Sequence, residues 1–256
     1  MTGHGLRGVA VPTTANPPER VILPDQETLS QEAARRFIAL AQARDPFTVA
    51  LSGGSTPRRL YQILAAMPGR VPWERVHVFW SDERCVPPDD PGSNYRMARE
   101  ALLDHVPLPV KNVHRVRGEW APEAAAQAYA VELEDFFGAP WPRFDLILLG
   151  LGGDGHTASL FPDSDTLHER ERPIAAVTAT YQDRPAQRVT FTLPLINAAR
   201  HVLFLVSGAD KAGIVQRVLE TAGEHYPASR VQPGAGTLTW LLDQAAAGQL
   251  DVPAQN

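Results

Sequence analysis

With 256 residues, 44% of them apolar and 21% charged, the chain is long enough to bury a large core and has the composition of an ordinary globular protein. Its net charge of −5 offers no basic field for nucleic acid, so any anion site must be local. The N-terminal stretch lacks the apolar region of a signal peptide, and no later apolar run reaches the length of a bilayer span. We therefore expect a soluble cytoplasmic protein that binds neither membrane nor nucleic acid.

The cysteine content and the missing motifs exclude several further classes. The single cysteine, Cys85, cannot form an intrachain disulfide or supply the thiolate cluster of a structural zinc site. None of the patterns HExxH, GxxxxGK[ST] and GxSxG occurs. We expect no metal and no cofactor.

The predicted elements follow one another in a β–α pattern. Residues 1–19 are rich in Thr, Pro and Gly without periodicity and are predicted to be a flexible tail, whereas residues 20–256 are predicted to form one α/β domain. Helices are predicted from Thr28 to about Arg44, from Pro57, from Asn94 and over Pro122–Phe137. Strands are predicted at Arg20–Leu23, Phe47–Leu51, Val76–Trp80, Phe144–Leu149, Ile174–Val177, Val189–Thr192 and Val202–Val206.

Three strand segments, VHVFW, LILLG and VLFLV, are apolar throughout instead of alternating with polar residues. This is typical of parallel strands that are buried on both faces. The pattern predicts an α/β fold with a doubly wound, mostly parallel sheet and helices on both faces. Ligands are expected at the carboxyl ends of its strands.

The first motif, LSGGSTPRRLY, lies between a buried strand and a predicted helix. Gly53 and Gly54 permit close approach of the backbone, Ser55 or Thr56 can cap the helix, and free N–H groups at a helix start attract anions. The motif is therefore a candidate for phosphate binding, and a capped tight turn, which is common at strand–helix junctions, is the alternative interpretation.

The second motif, FWSDERCVPP, places Asp82, Glu83 and Arg84 at a strand end. The arginine is able to hold a phosphate or to stabilise an oxyanion, and a carboxylate is able to transfer protons. A salt bridge on the surface is the alternative interpretation.

The third motif, DLILLGLGGDGHTASLFP, contains a formal match to GxGxxG. A dinucleotide site is not expected, because Pro162 interrupts the segment early and Ile174–Thr178 carries no acidic residue. Asp154 and His156 remain, on a glycine-rich turn near a strand end. Such a histidine is able to accept a proton from water at neutral pH while the carboxylate orients its ring. The alternative is a helix-capping aspartate beside a structural histidine.

Two cations, Arg188 and Lys211, each lie next to an apolar strand. If the strands share a sheet edge, these side chains are able to clamp a phosphate dianion. Two separate, solvated side chains are the alternative.

Taken together, the motifs SGGSTP, SDER, GLGGDGHTASLFP and RVTFT…GADKA resemble those of the 6-phosphogluconolactonase family, within the larger group that includes glucosamine-6-phosphate deaminases. The resemblance covers about residues 20–245. It implies a Rossmann-like α/β fold. It also implies an enzyme that hydrolyses 6-phospho-D-glucono-1,5-lactone to 6-phosphogluconate in the pentose phosphate pathway.

The resemblance also implies roles for individual residues. It makes His156 the base that activates water, Asp154 its neighbour and Arg84 a cation of the site. The phosphate-side candidates are Gly53, Gly54, Ser55, Thr56, Arg188 and Lys211.

Two alternative functions stay open. The deaminases resemble this chain but typically carry a Glu five residues beyond the histidine, where this chain has Phe161. A non-catalytic sugar-phosphate sensor would need the phosphate site but no working base.

Overall fold

The computed structural model describes residues 17–180, 185–221 and 226–251. Most of the predicted tail falls outside these residues, and the first strand begins at Glu19, one residue earlier than predicted. The strands are β1 Glu19–Leu23, β2 Phe47–Leu51, β3 Val76–Trp80, β4 Asp82–Arg84, β5 Leu146–Leu149, β6 Ile174–Thr178, β7 Gln187–Phe191, β8 His201–Val206 and β9 Thr237–Asp243. The helices are α1 Gln26–Ala43, α2 Ser55–Ala65, α3 Asn94–Ala101, α4 Pro122–Phe137, α5 Leu193–Asn197 and α6 Ala212–Glu220.

Six strands form a parallel sheet in the order β1-β9-β8-β5-β2-β3. Alternate side chains of these strands point to opposite faces of the sheet and belong to two hydrophobic clusters. Helices α1, α2 and α3 pack on the cluster that contains Val49 and Leu148. Helices α4, α5 and α6 pack on the other cluster, which contains Phe79 and Phe204. The predicted doubly wound α/β fold, with helices on both faces of a mostly parallel sheet, is confirmed.

A second sheet of three antiparallel strands, in the order β4-β7-β6, lies outside this arrangement. The sequence pattern predicts β6 and β7 but not that they leave the parallel sheet. It also misses β4, which has three residues and three charges, and β9, α5 and α6. Periodicity identifies a strand but does not reveal its partner, so the second sheet emerges only from the structure.

No helix among residues 17–180, 185–221 and 226–251 is long and apolar enough to cross a membrane.

The cluster around Phe204 generates a prediction about stability. This ring is fully buried and stacks on Trp240, with 3.8 Å between the ring centroids. Because the vacated volume cannot collapse completely, we expect Phe204→Ala to lower the free energy of unfolding by about 3–5 kcal/mol in denaturant titrations. Val110→Ala is the control, since Val110 is 89% exposed and its truncation should change stability by less than about 0.5 kcal/mol. Equal effects of the two substitutions would contradict this description of the core.

Candidate active site

A polar cavity of about 350 Å³ opens where β2, β5 and β8 of the parallel sheet end. The small sheet closes one side of it through β4 and β7. Its wall is made of Ser52, Gly53, Gly54, Ser55, Thr56, Pro57, Asp82, Arg84, Asn94, Gly150, Leu151, Gly152, His156, Thr157, Ala158, Arg188, Leu205, Val206, Ser207, Asp210 and Lys211. Because the carboxyl ends of parallel strands meet at one edge, segments that are far apart in the chain converge here.

The loop after β2 presents the start of α2 to the cavity. Gly54 is the N-cap residue, with a φ of 112° that side chains rarely adopt, and no side chain caps the helix. The predicted capping by Ser55 or Thr56 is therefore wrong, because the helix begins at Ser55, two residues before the predicted Pro57. The first turn carries no acidic side chain. The N–H groups of Ser55 and Thr56 lack intrahelical acceptors, as an anion site at a helix start requires.

The charges of the second motif have separate environments instead of forming a mutual surface salt bridge. Arg84 lines the cavity, and its Nη1 donates to the carbonyl oxygen of Gly92 at 2.6 Å. Asp82 also lines the cavity, and its Oδ2 accepts from the hydroxyl of Ser159 at 2.7 Å. Glu83 is buried away from the cavity wall.

His156 and Asp154 form a hydrogen-bonded pair on the glycine-rich turn after β5. The distance between His156 Nδ1 and Asp154 Oδ1 is 2.6 Å, and the His156 side chain is 12% exposed. Partial burial disfavours the ionised carboxyl, but the hydrogen bond and charge of His156 outweigh it and lower the pKa of Asp154. When Nδ1–H donates to a carboxylate, the neutral ring keeps its lone pair on Nε2, the atom that a general base needs. His156 lines the cavity, whereas Asp154 does not.

The position of this imidazole depends on Gly152. A Cβ at residue 152 would lie 2.0 Å from His156 Nδ1 and 2.7 Å from Asp154 Oδ1. The glycine at position 152 therefore makes room for the His156–Asp154 pair. No α-helix follows β5 directly, which agrees with the expectation that the GxGxxG match is not a dinucleotide site.

The two cations beside apolar strands, Arg188 and Lys211, both line this cavity. Arg188 in β7 is 2% exposed, with its guanidinium carbon 5.2 Å from the ring centroid of Phe161. Lys211 lies just before α6, and its ammonium is 3.8 Å from Asp210. Arg188 and Arg84 are directly opposite each other in the β4–β7 pair. The interpretation as two separate solvated side chains is excluded for Arg188 by its burial.

Sequence reasoning misses several residues of the wall, including Ser52, Asn94 and Ser207. Ser52 and Ser207 each follow directly after a predicted strand, inside or beside a motif, and this position is the sequence signal that could have identified them as residues of the cavity wall. The sequence around Asn94 indicates only the start of a helix, and nothing local shows that its side chain reaches the loop after β2. Among the described parts of the chain, no three His, Cys, Asp or Glu side chains come together as potential metal ligands.

Comparisons with known proteins agree on the same group. The sequence profile of glucosamine-6-phosphate isomerases and 6-phosphogluconolactonase matches residues 24–240. The 6-phosphogluconolactonase of a Nostoc species is 42% identical over 90% of this chain and 98% of that protein. The 6-phosphogluconolactonase of a Synechocystis species is 49% identical over 79% of this chain and 84% of that protein. The structure of 6-phosphogluconolactonase from Trypanosoma cruzi superimposes with a TM-score of 0.82 and 30% identity, and covers 92% of this chain and 97% of that one.

The contact between Gly152 and the His156–Asp154 pair predicts the effect of adding one methyl group. In Gly152→Ala the hydrogen bond to the carboxylate cannot keep its geometry, so the pKa of Asp154 should rise towards its ordinary value of 3.8. Side-chain carboxyl resonances followed in an NMR pH titration measure this change. Gly69→Ala is the matched control, because a Cβ there meets nothing within 4 Å. An unchanged pKa of Asp154 in Gly152→Ala would show that the pair does not depend on this glycine.

Proposed function

The chain belongs to the family of glucosamine-6-phosphate isomerases and 6-phosphogluconolactonases, and on this premise we propose that it hydrolyses 6-phospho-D-glucono-1,5-lactone to 6-phosphogluconate. Its ligand is then a phosphorylated sugar lactone, and the reaction is the lactonase step of the pentose phosphate pathway. We also propose that the protein is located in the cytoplasm, because sugar phosphates are charged metabolites of that compartment.

The observation that carries this proposal is the His156–Asp154 pair at the wall of a cavity lined by three cations. A lactonase needs a base for water, a positive group for the developing oxyanion and an anchor for the phosphate. The cavity contains one imidazole, Arg84, Arg188 and Lys211, together with the start of α2. These groups meet each requirement with residues that the chain itself provides.

The chemical step assigns the base to His156. Its Nε2 takes a proton from water as the water oxygen attacks the lactone carbonyl carbon, and the carbonyl oxygen becomes an oxyanion. Asp154 keeps the ring in the productive tautomer and stabilises the imidazolium that forms. Arg84 or backbone N–H groups of the cavity stabilise the oxyanion. Collapse of this intermediate breaks the bond to the ring oxygen, which receives a proton, so that one water molecule is consumed.

The phosphate lies on the other side of the ring in this proposal. Gly53, Gly54, Ser55 and Thr56 supply close backbone and free N–H groups, and Lys211 and Arg188 supply positive charge. These groups hold the substrate equally in the ground state and the transition state, because the phosphate is remote from the reacting carbon.

The second candidate, deamination of an amino-sugar phosphate, is disfavoured by the side chain beside the histidine. Phe161 packs on the His156 ring with 4.5 Å between centroids. The related deaminases typically carry a carboxylate at this position, which takes part in ring opening and proton relay. A phenyl ring has no proton to exchange, so the lactonase reaction fits the site better.

The role of His156 is tested by the rate of 6-phosphogluconolactone hydrolysis, with spontaneous hydrolysis subtracted and chelator present. We expect His156→Ala to lower kcat by about 10²–10⁴-fold, the usual contribution of a positioned general base. The control is His168→Ala, because His168 is exposed and lies outside the cavity wall.

The possible outcomes separate the candidates. Equal rates for wild type and His156→Ala would remove the base assignment. A wild-type protein that binds 6-phosphogluconate but does not accelerate hydrolysis would be a sensor, whereas turnover of glucosamine 6-phosphate alone would identify a deaminase.

The division between chemistry and phosphate binding predicts a different kinetic signature for Lys211. Lys211→Ala should raise KM about ten-fold or more and leave kcat within a few-fold, since it removes a charge-assisted contact that is equally strong throughout the reaction. Lys111→Ala is the matched control, because these are the two lysines of the chain and Lys111 is exposed outside the cavity. A lower kcat with unchanged KM in Lys211→Ala would contradict the division.

A further inference from the structure

A second polar cavity, of about 380 Å³, lies at the opposite end of the parallel sheet, around the amino end of β8. Its wall is made of Arg44, Arg143, Arg200, His201, Gly234, Ala235, Gly236 and Thr237. None of these residues belongs to the wall of the catalytic cavity. We name it the amino-end cavity.

Three arginines of this wall outnumber the carboxylates in contact with them. Among the described residues, only Asp145 forms ion pairs with this set: its Oδ1 lies 3.4 Å from Arg44 Nε and 3.3 Å from Arg200 Nε. The other carboxylate oxygen, Oδ2, already accepts from the backbone N–H and the hydroxyl of Thr48. One buried carboxylate therefore serves two guanidinium groups, and Arg143 adds a third positive charge without an acidic partner in the described parts of the chain.

The amino-end cavity is held in shape by contacts that do not neutralise it. Arg143 Nη2 donates to the carbonyl oxygen of Ala235 at 2.8 Å, which ties the arginine to the Pro–Gly–Ala–Gly loop before β9. Burial, followed by the charge of Arg44, lowers the pKa of the neighbouring His201. The region is thus locally electropositive in a chain with a net charge of −5.

We propose that the amino-end cavity binds a small, multiply charged phosphate compound, separate from the substrate of the catalytic cavity. Guanidinium groups present pairs of N–H donors that match phosphate oxygens, and converging arginines are the usual protein solution for this ligand. Two positive charges remain after Asp145 is counted against Arg44, Arg143 and Arg200, so a multivalent anion is favoured over a monovalent one.

Calorimetric titration with inorganic pyrophosphate at low ionic strength tests this site. The titrations use the Lys211→Ala protein, which weakens phosphate binding in the catalytic cavity. We expect adding Arg143→Gln to weaken pyrophosphate binding about ten-fold or more, because it removes a charge-assisted donor. Adding Arg70→Gln instead removes the same charge from an exposed arginine outside both cavities and should leave the affinity unchanged.

Two further measurements keep the result unambiguous. Arg143→Gln in the otherwise wild-type protein should hydrolyse the lactone within two-fold of wild type, which verifies folding and separates this site from catalysis. Arg44→Gln provides a second test of the same cavity with the same expected loss of affinity. The proposal is overturned if pyrophosphate releases no heat of binding, or if Arg143→Gln, Arg44→Gln and Arg70→Gln have equal affinities.

Discussion

The geometry of the proposed catalytic cavity depends on the burial of one carboxylate, that of Glu83 in β4. Its two oxygens accept hydrogen bonds from the backbone N–H groups of Arg84, Asn94 and Tyr95 at 2.7 Å and from the hydroxyl of Ser93 at 3.0 Å. Burial raises the pKa of Glu83, although these donors and the positive charge of Arg84 act in the opposite direction. Desolvation of a carboxylate is costly, and four donors at short distance provide the compensation that lets it stay inside. The start of α3 is thereby fixed to the small antiparallel sheet.

The fixed start of α3 connects two walls of the cavity. Asn94, its first residue, is 1% exposed, and its Nδ2 donates to the backbone oxygen of Asp82 at 2.9 Å. Its amide oxygen packs directly against Gly53, where a Cβ would approach to 2.0 Å. The loop after β2, which is the proposed phosphate side, is therefore set against β4, which carries Arg84. Glu83 positions both sides without lining the cavity.

The sequence is informative about the parallel sheet because burial on both faces leaves uninterrupted apolar runs. It also predicts that the candidate site residues meet at one edge, because parallel strands bring the residues that follow them to the same end of the sheet. It is not informative about β4, since three charged residues carry no strand periodicity and the pairing with β7 joins residues about a hundred positions apart. The role of Glu83 cannot be predicted from the sequence either. A buried carboxylate and a solvated one have the same sequence signature until the structure shows which groups donate hydrogen bonds to them. The sequence does identify Arg188 as a candidate cation, and the structure adds that its side chain is buried.

The pairing of β4 with β7 places Arg84 and Arg188 directly opposite each other, on the same face of an antiparallel ladder. Like charges in this relationship repel, and most strands avoid them. Here both side chains line the catalytic cavity, and the pair is held in place by the buried anchor at Glu83 and by the packing of Arg188 over Phe161. An anion bound near both guanidinium groups would offset this repulsion, so binding of an anionic ligand is expected to stabilise the fold. The pairing that a stability argument alone would disfavour therefore supports the proposed roles of Arg84 and Arg188 in binding an anionic substrate.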